Sequence, residues 1–245
     1  MKKVLLFTVI FFFCSLIIQA QEYLDLQKKA EELYAKDQFV EALNTSEQAL
    51  KLAEEKVGKQ HSDYGFILGH RGLYKIANSD IIGGVTDLLS AETIVQKPGR
   101  DKSTDYIELM NNIATGYMFA GMGEDAEKYF YKALDYKKEI NPENDFLTAT
   151  LLGGLAETQR SQAKYKEAEI NLLKSKKILE DNKLTTIEDY GLLLNNMASF
   201  YHDLANYPLA ENYYLMAASV FLKTVGEYHE NYATCTQNLG NLYAD

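Results

Sequence analysis

Four histidines, His61, His70, His202 and His229, are the side chains best suited by type to acid–base work or metal binding near neutral pH. Neither role has the spacing it needs. No two of them stand at i, i+4 around an acid, and no carboxylate or cysteine cluster has ligand spacing, so the sequence predicts no metal site. Cys235 has no helical neighbour to serve as its base and reads as a buried thiol rather than a nucleophile. Gly83-Gly84 lacks the preceding strand and the following Lys-Ser/Thr of a phosphate loop. The expectation is therefore no catalytic residue, no cofactor and no small-molecule substrate. The chemistry left is recognition. It is concentrated in "NNMASFYHDLANYPLAENYYLMA" at 195–217, where amides, phenols, a hydroxyl and an imidazole crowd together.

The elements that position these groups show as a period. Steps of 42 from Ala30 land on Gly72, Ala114, Ala156, Ala198 and Gly240. Steps from Ala42 land on Gly84, Ala126, Ala168 and Ala210, and steps from Ala49 on Ala91, Ala133, Ser175 and Ala217. Within the fifth repeat Leu194, Met197, Ala198 and Tyr201 mark one face of a helix. Leu209, Ala210, Tyr213, Tyr214 and Ala217 mark a second, with Pro208 tolerated at its start. Small residues let the two helices approach closely, and a hairpin of this size buries its apolar face only by stacking on the next. Tyrosines recur in the same way, at Tyr64, Tyr106, Tyr190 and Tyr232 and at Tyr117, Tyr201 and Tyr243, and read as spacers between hairpins.

These features, with "VGKQHSDYG" at 57–65 matching "VGEYHENYA" at 225–233, resemble the tetratricopeptide repeat (TPR), in its longer kinesin-light-chain form. The resemblance covers residues 22–245 and implies an all-α, right-handed superhelical solenoid of stacked antiparallel helix pairs, about five repeats plus the first helix of a sixth. It assigns His61 and His229 to the loops between repeats. Two departures stand out. Lys75 occupies a position held elsewhere by Leu33, Tyr117 and Tyr201, and Gly83-Gly84 opens a helix, so the second repeat is expected to be the most mobile. Residues 233–245 look like an ordinary internal first helix, and the expectation is a chain that is part of a longer protein.

On each first helix one stripe faces away from the partner helix. In the fifth repeat it holds Leu192, Asn195, Asn196, Ser199, His202 and Asp203; in the third, Glu108, Asn111, Asn112, Thr115, Met118 and Phe119. In the fourth it holds Thr150, Gly153, Gly154, Glu157, Arg160 and Ser161. In TPR proteins the concave wall formed by such stripes holds peptides, and a groove asparagine grips the peptide backbone. Asn112, Asn196 and Asn238 stand at the matching position, with His70 in the second repeat. Two readings of these residues stay open, contact with a ligand and bonds between neighbouring helices. Arg160 is the only cation of the stripes in repeats three to five, too little for a carboxylate clamp.

Lys2-Lys3, the apolar run Val4–Ile18 and then Gln19-Ala20 have the order of a secretory signal, predicting cleavage after Ala20 and an exported, periplasmic or envelope protein. Without residues 1–20 the chain has 23 basic residues against 35 acidic ones, a formal charge of about −12. That balance excludes nucleic acid and anionic membrane surfaces as partners. Membrane attachment would come only from an uncleaved signal or a missing C-terminal part. A single remaining cysteine allows no intramolecular disulfide. The expected function is a non-catalytic scaffold that binds a protein or peptide in its groove. The alternative is the N-terminal sensor or scaffold region of a longer histidine-kinase or caspase-like peptidase protein; a third option is a structural spacer.

Overall fold

The computed structural model describes residues 22–96 and 103–244, so the expected signal peptide, residues 1–20, lies outside the described residues. Helix α1 covers 22–34 and is followed by α2 (Phe39–Val57), α3 (Ser62–Ala77), α4 (Ile81–Val95) and α5 (Thr104–Phe119). Then come α6 (Gly123–Ile140), α7 (Phe146–Ser161), α8 (Tyr165–Asp181), α9 (Glu188–Asp203), α10 (Tyr207–Thr224) and α11 (Glu230–Ala244). No strand occurs among the described residues. The first helices of repeats two to six begin at Ser62, Thr104, Phe146, Glu188 and Glu230, a spacing of 42 without drift. The chain forms two compact units, one up to Met122 and one from Gly123.

Each hairpin turns in the same way. Asp37, Ser79, Gly121, Ala163 and Ala205 hold positive φ, between 54° and 73°. The next amide reaches back to the carbonyl five residues earlier, as in Asp80 N to Lys75 O at 2.9 Å and Asn206 N to Tyr201 O at 2.8 Å. This left-handed cap satisfies the orphan carbonyls at the end of each first helix and reverses the chain in three residues. The imidazoles of the inter-repeat loops are caps of the opposite kind. His61 Nδ1 accepts the Asp63 amide and His229 Nδ1 the Asn231 amide, both at 3.2 Å, at the starts of α3 and α11. The family-based placement of these histidines thus has a direct physical cause.

The small-residue series are the contact lines. Ala30, Ala42, Ala49, Ala91, Ala114, Ala126, Ala133, Ala156, Ala168, Ala198, Ala210 and Ala217 have no accessible surface. Ser175 is also buried and spans to the facing helix, its hydroxyl donating to Ala149 O at 2.8 Å. Gly240 alone is open: a Cβ there would meet nothing within 4 Å. In the second repeat backbone faces backbone. A Cβ on Gly84 would stand 2.5 Å from Gly72 O, so this pair of glycines is required by packing. Lys75, the residue out of pattern, is paired rather than misplaced. Its ammonium lies 2.9 Å from Asp87, which also receives Arg71 through two bonds of 2.7 and 2.8 Å across α3 and α4.

In the C-terminal unit the core runs continuously through α7 to α11, with Phe200, Tyr214 and Phe221 almost fully buried. Cys235 lies in it with no accessible surface, its thiol against Tyr214 O at 3.4 Å; burial pushes its pKa up to about 11. That thiol is inert as a nucleophile. The recurrent tyrosines divide by repeat position and partner. Tyr106 and Tyr190 are buried and bond Glu92 and Glu180 of the preceding helix, while Tyr201 and Tyr243 donate to Glu169 and Glu211, again 42 residues apart.

Candidate functional site

In the N-terminal unit the outward stripes of α1, α3 and α5 meet around a cleft of about 390 Å³. Its apolar part comes from Leu24, Phe66, Ile67 and Leu109, and its polar part from Gln27, Glu31, Asp63, His70, Asp105, Glu108 and Asn112. None of these is lysine or arginine. Burial, opposed by the carboxylates of Glu31 and Asp105, holds the His70 pKa below its ordinary value, so the ring is neutral at pH 7. Its Nε2 stands 3.7 Å from Glu31. Burial raises the Glu108 pKa, and the like charges of Asp105 and Glu31 raise it further. The other two acids have neutral partners: Gln27 donates to Glu31 at 3.0 Å and Tyr23 to Asp63 at 2.7 Å.

In the C-terminal unit α7 and α9 border a smaller groove of about 160 Å³, with Phe146, Gly153, Asp189, Leu192 and Asn196 on its walls. A Cβ on Gly153 would find only Ser175 Oγ, at 3.9 Å, so the groove is open there. Gly154 differs from the expectation of an open stripe. A Cβ there would stand 2.4 Å from the Phe130 ring, so α6 covers it.

The structure separates the sequence-derived residues into two groups. Asn112 and Asn196 face the two cavities, and among the described residues neither amide makes a hydrogen bond. His70 lies in the same cleft as Asn112. Asn111 and Thr115 are half-buried on α5. The remainder are engaged within the C-terminal unit. Asn238 donates to Asn195 at 3.4 Å, tying α11 to α9. Ser199 Oγ lies 3.1 Å from Tyr214 Oη and is thus directed at its partner helix, not at the open face. Arg160 clasps Glu157 through bonds of 2.9 and 2.7 Å and also donates to Asp203. Glu157 first and then Asp203, against the opposing effect of burial, raise the Arg160 pKa. This cation is neutralised inside the fold. The His202 ring packs edge-on to Tyr207 with centroids 5.9 Å apart.

Sequence reasoning missed a polar core in this unit. Gln159 has no accessible surface and occupies the position of Tyr117 and Tyr201. Its amide donates to Glu127 at 3.1 Å and to Tyr131 at 3.2 Å, and its oxygen accepts from Asn171 at 2.8 Å. The break in the tyrosine series was the only signal of it. Lys137, almost fully buried, was missed too; its ammonium gathers Asn141 O, Glu143 O and Asp145, which fixes the loop between α6 and α7. No group of residues able to hold a metal ion occurs among the described residues.

Helical hairpins repeating at constant spacing, with open clefts beside the stripes of α1, α3 and α5 and of α7 and α9, define a repeat solenoid of the recognition class. A tetratricopeptide repeat family model matches residues 105–181 and 189–245, more than half of the chain. The chain belongs to the tetratricopeptide repeat family, whose members are generally interaction modules. No curated protein matches it in sequence. Solved structures of the same fold include a kinesin-light-chain protein of Podosopora anserina with nearly identical TPR-like repeats, at 16% identity and a TM-score of 0.62, covering 81% of this chain and 94% of that one. BtubC of P. vanneervenii matches at 16% identity and a TM-score of 0.63, over 88% of this chain and 83% of its own. A Rap protein complexed with Competence and Sporulation Factor matches at 14% identity and a TM-score of 0.72, over 91% of this chain and 65% of its own.

Proposed function

We propose that this chain is a non-catalytic, exported scaffold that binds a protein or peptide segment on the open faces of its first helices. The observation that carries the reading is the pair of unbonded amides, Asn112 and Asn196, each standing at the same repeat position and beside a cavity. An amide supplies both a donor and an acceptor, which is what an extended backbone requires, and a half-buried amide without a partner gains from one. The Rap protein of the same fold, captured with Competence and Sporulation Factor, supports this as an analogy of fold alone. Export rests on the charged, apolar and small-residue order of residues 1–20.

The test is the double variant Asn112→Ala/Asn196→Ala, compared with the wild-type chain in affinity capture from the native envelope. Two lost backbone contacts correspond to roughly a tenfold or greater fall in affinity for a specific partner. An unchanged set of captured proteins, with the helical content intact, would show that these amides only serve the fold. Export is checked separately by fractionation and by the mass of the mature N-terminus; a cytoplasmic, full-length product contradicts it.

A further inference from the structure

We propose that the cleft between α1, α3 and α5 selects a positively charged peptide segment, with its aliphatic parts on the apolar floor and a lysine or arginine head among the acids. This rests on the interaction reading above and adds the chemistry of the occupant.

Shape and charge both point the same way. A cleft of about 390 Å³ accommodates one or two side chains of an extended segment and falls within the usual range for binding cavities. Ile67 and Leu109 are nearly inaccessible and form a fixed floor, with Leu24 and Phe66 along its side. Around it stand Glu31, Asp63, Asp105 and Glu108 with no cation among the lining residues. The nearest basic side chains of α3 are committed elsewhere, since both Arg71 and Lys75 are bound to Asp87. His70 contributes no charge at pH 7, because burial keeps it neutral. The carboxylates therefore repel one another; the Glu108 pKa is raised first by burial and then by the like charges of Asp105 and Glu31. A cation delivered by a partner relieves that repulsion, whereas an acidic segment adds to it.

The C-terminal unit provides the contrast. There two acids of the stripe, Glu157 and Asp203, share one cation of the fold, Arg160. The lining of the N-terminal cleft has no such built-in cation. Long aliphatic stems ending in a cation suit a half-apolar, acid-rimmed groove, because lysine and arginine cover apolar surface while their heads remain polar.

The experiment is titration of the full chain with three labelled peptides of one sequence, alternating leucine with arginine, glutamine or glutamate, followed by backbone NMR and fluorescence anisotropy. The expected result is saturable binding of the arginine peptide, with shifts at His70, Glu108 and Asn112, and weaker or no binding of the other two. Asp105→Asn/Glu108→Gln weakens that binding about tenfold at low salt. Glu47→Gln/Glu55→Gln, an equal charge change on exposed positions of α2, leaves it nearly unchanged. Shifts scattered over the surface, or equal loss in both double variants, overturn the cleft as the site. Equal binding of the glutamine or glutamate peptide at the same residues overturns the charge selectivity while leaving the interaction reading intact. That reading fails only with the Asn112→Ala/Asn196→Ala comparison, so the two failures are distinguishable.

Discussion

Ala163 and Ala205 hold φ of 58° and 54°, a region in which a Cβ crowds the following carbonyl oxygen. At the same repeat position Gly121 has a φ of 73° with no such crowding. The left-handed residue is required by the turn geometry, and three non-glycine types besides glycine are found there. Replacing Ala163 and Ala205 with glycine removes a cost of about 1–2 kcal/mol at each site and adds backbone entropy to the unfolded chain worth about 0.5–1 kcal/mol. The expected outcome is a net gain of roughly 0.5–1 kcal/mol per site in urea denaturation. A loss of stability in both variants would mean that the turns tolerate alanine without strain. These caps were not legible in the sequence, because alanine carries no turn signal and its φ is imposed by the two helices it joins. The neighbouring small residues were fully legible: their role is local bulk, which a period exposes. Partnerships were not. Nothing near Arg160 in sequence foretells Asp203, and nothing near Ser199 places its hydroxyl on Tyr214.

Among the elements, the α3–α4 hairpin gives the same two glycines both a propensity role and a packing role. Read as propensity, Gly83-Gly84 weakens a helix start; read in space, Gly84 is the point at which two backbones approach too closely for a side chain. Gly84→Ala would place a methyl group 2.5 Å from both Gly72 O and Ile76 Cγ1. Backbone must then move, at a cost of about 1–3 kcal/mol, despite alanine's better helix propensity. A variant as stable as the wild type would indicate that the hairpin is loosely packed. Gly83→Ala meets only the Asp80 side chain, which caps the helix by accepting Gly83 N at 2.9 Å, and disturbs that cap alone. The expectation of a mobile second repeat is put to hydrogen exchange: weaker protection of α3 and α4 than of α9 and α10 upholds it. The close helix contact and the Arg71–Asp87–Lys75 cluster act in the other direction.

At the scale of the whole molecule, the shifted groups give the two units different responses to acid. In the N-terminal unit the His70 pKa is lowered by burial, so the unfolded chain binds its proton first. Stability falls as pH drops through the ordinary histidine value of about 6.5, and continues to fall until the lower folded value is reached. Glu108 has the opposite sign. Its raised pKa makes its ionised form unfavourable in the fold, so acidification through the carboxylate range returns some stability. In the C-terminal unit burial raises the pKa of Glu127 and Asp145, but their bonds to Lys164 and Lys137 outweigh it and leave both lowered. The Lys176 bond lowers Glu180, against burial. Stability from these three carboxylates is complete above about pH 4.5 and disappears below it, offset in part by Asp189, which burial raises. The expected outcome is two windows: the N-terminal unit begins to weaken as pH falls through about 6.5, and the C-terminal unit only below about pH 4.5. Pulse proteolysis in urea across this range, with fragments assigned by mass, reads each unit separately. His70→Gln removes the first window and leaves the second. If both units lose stability together in the wild type, or if His70→Gln leaves the first window in place, the neutral imidazole is not the group responsible.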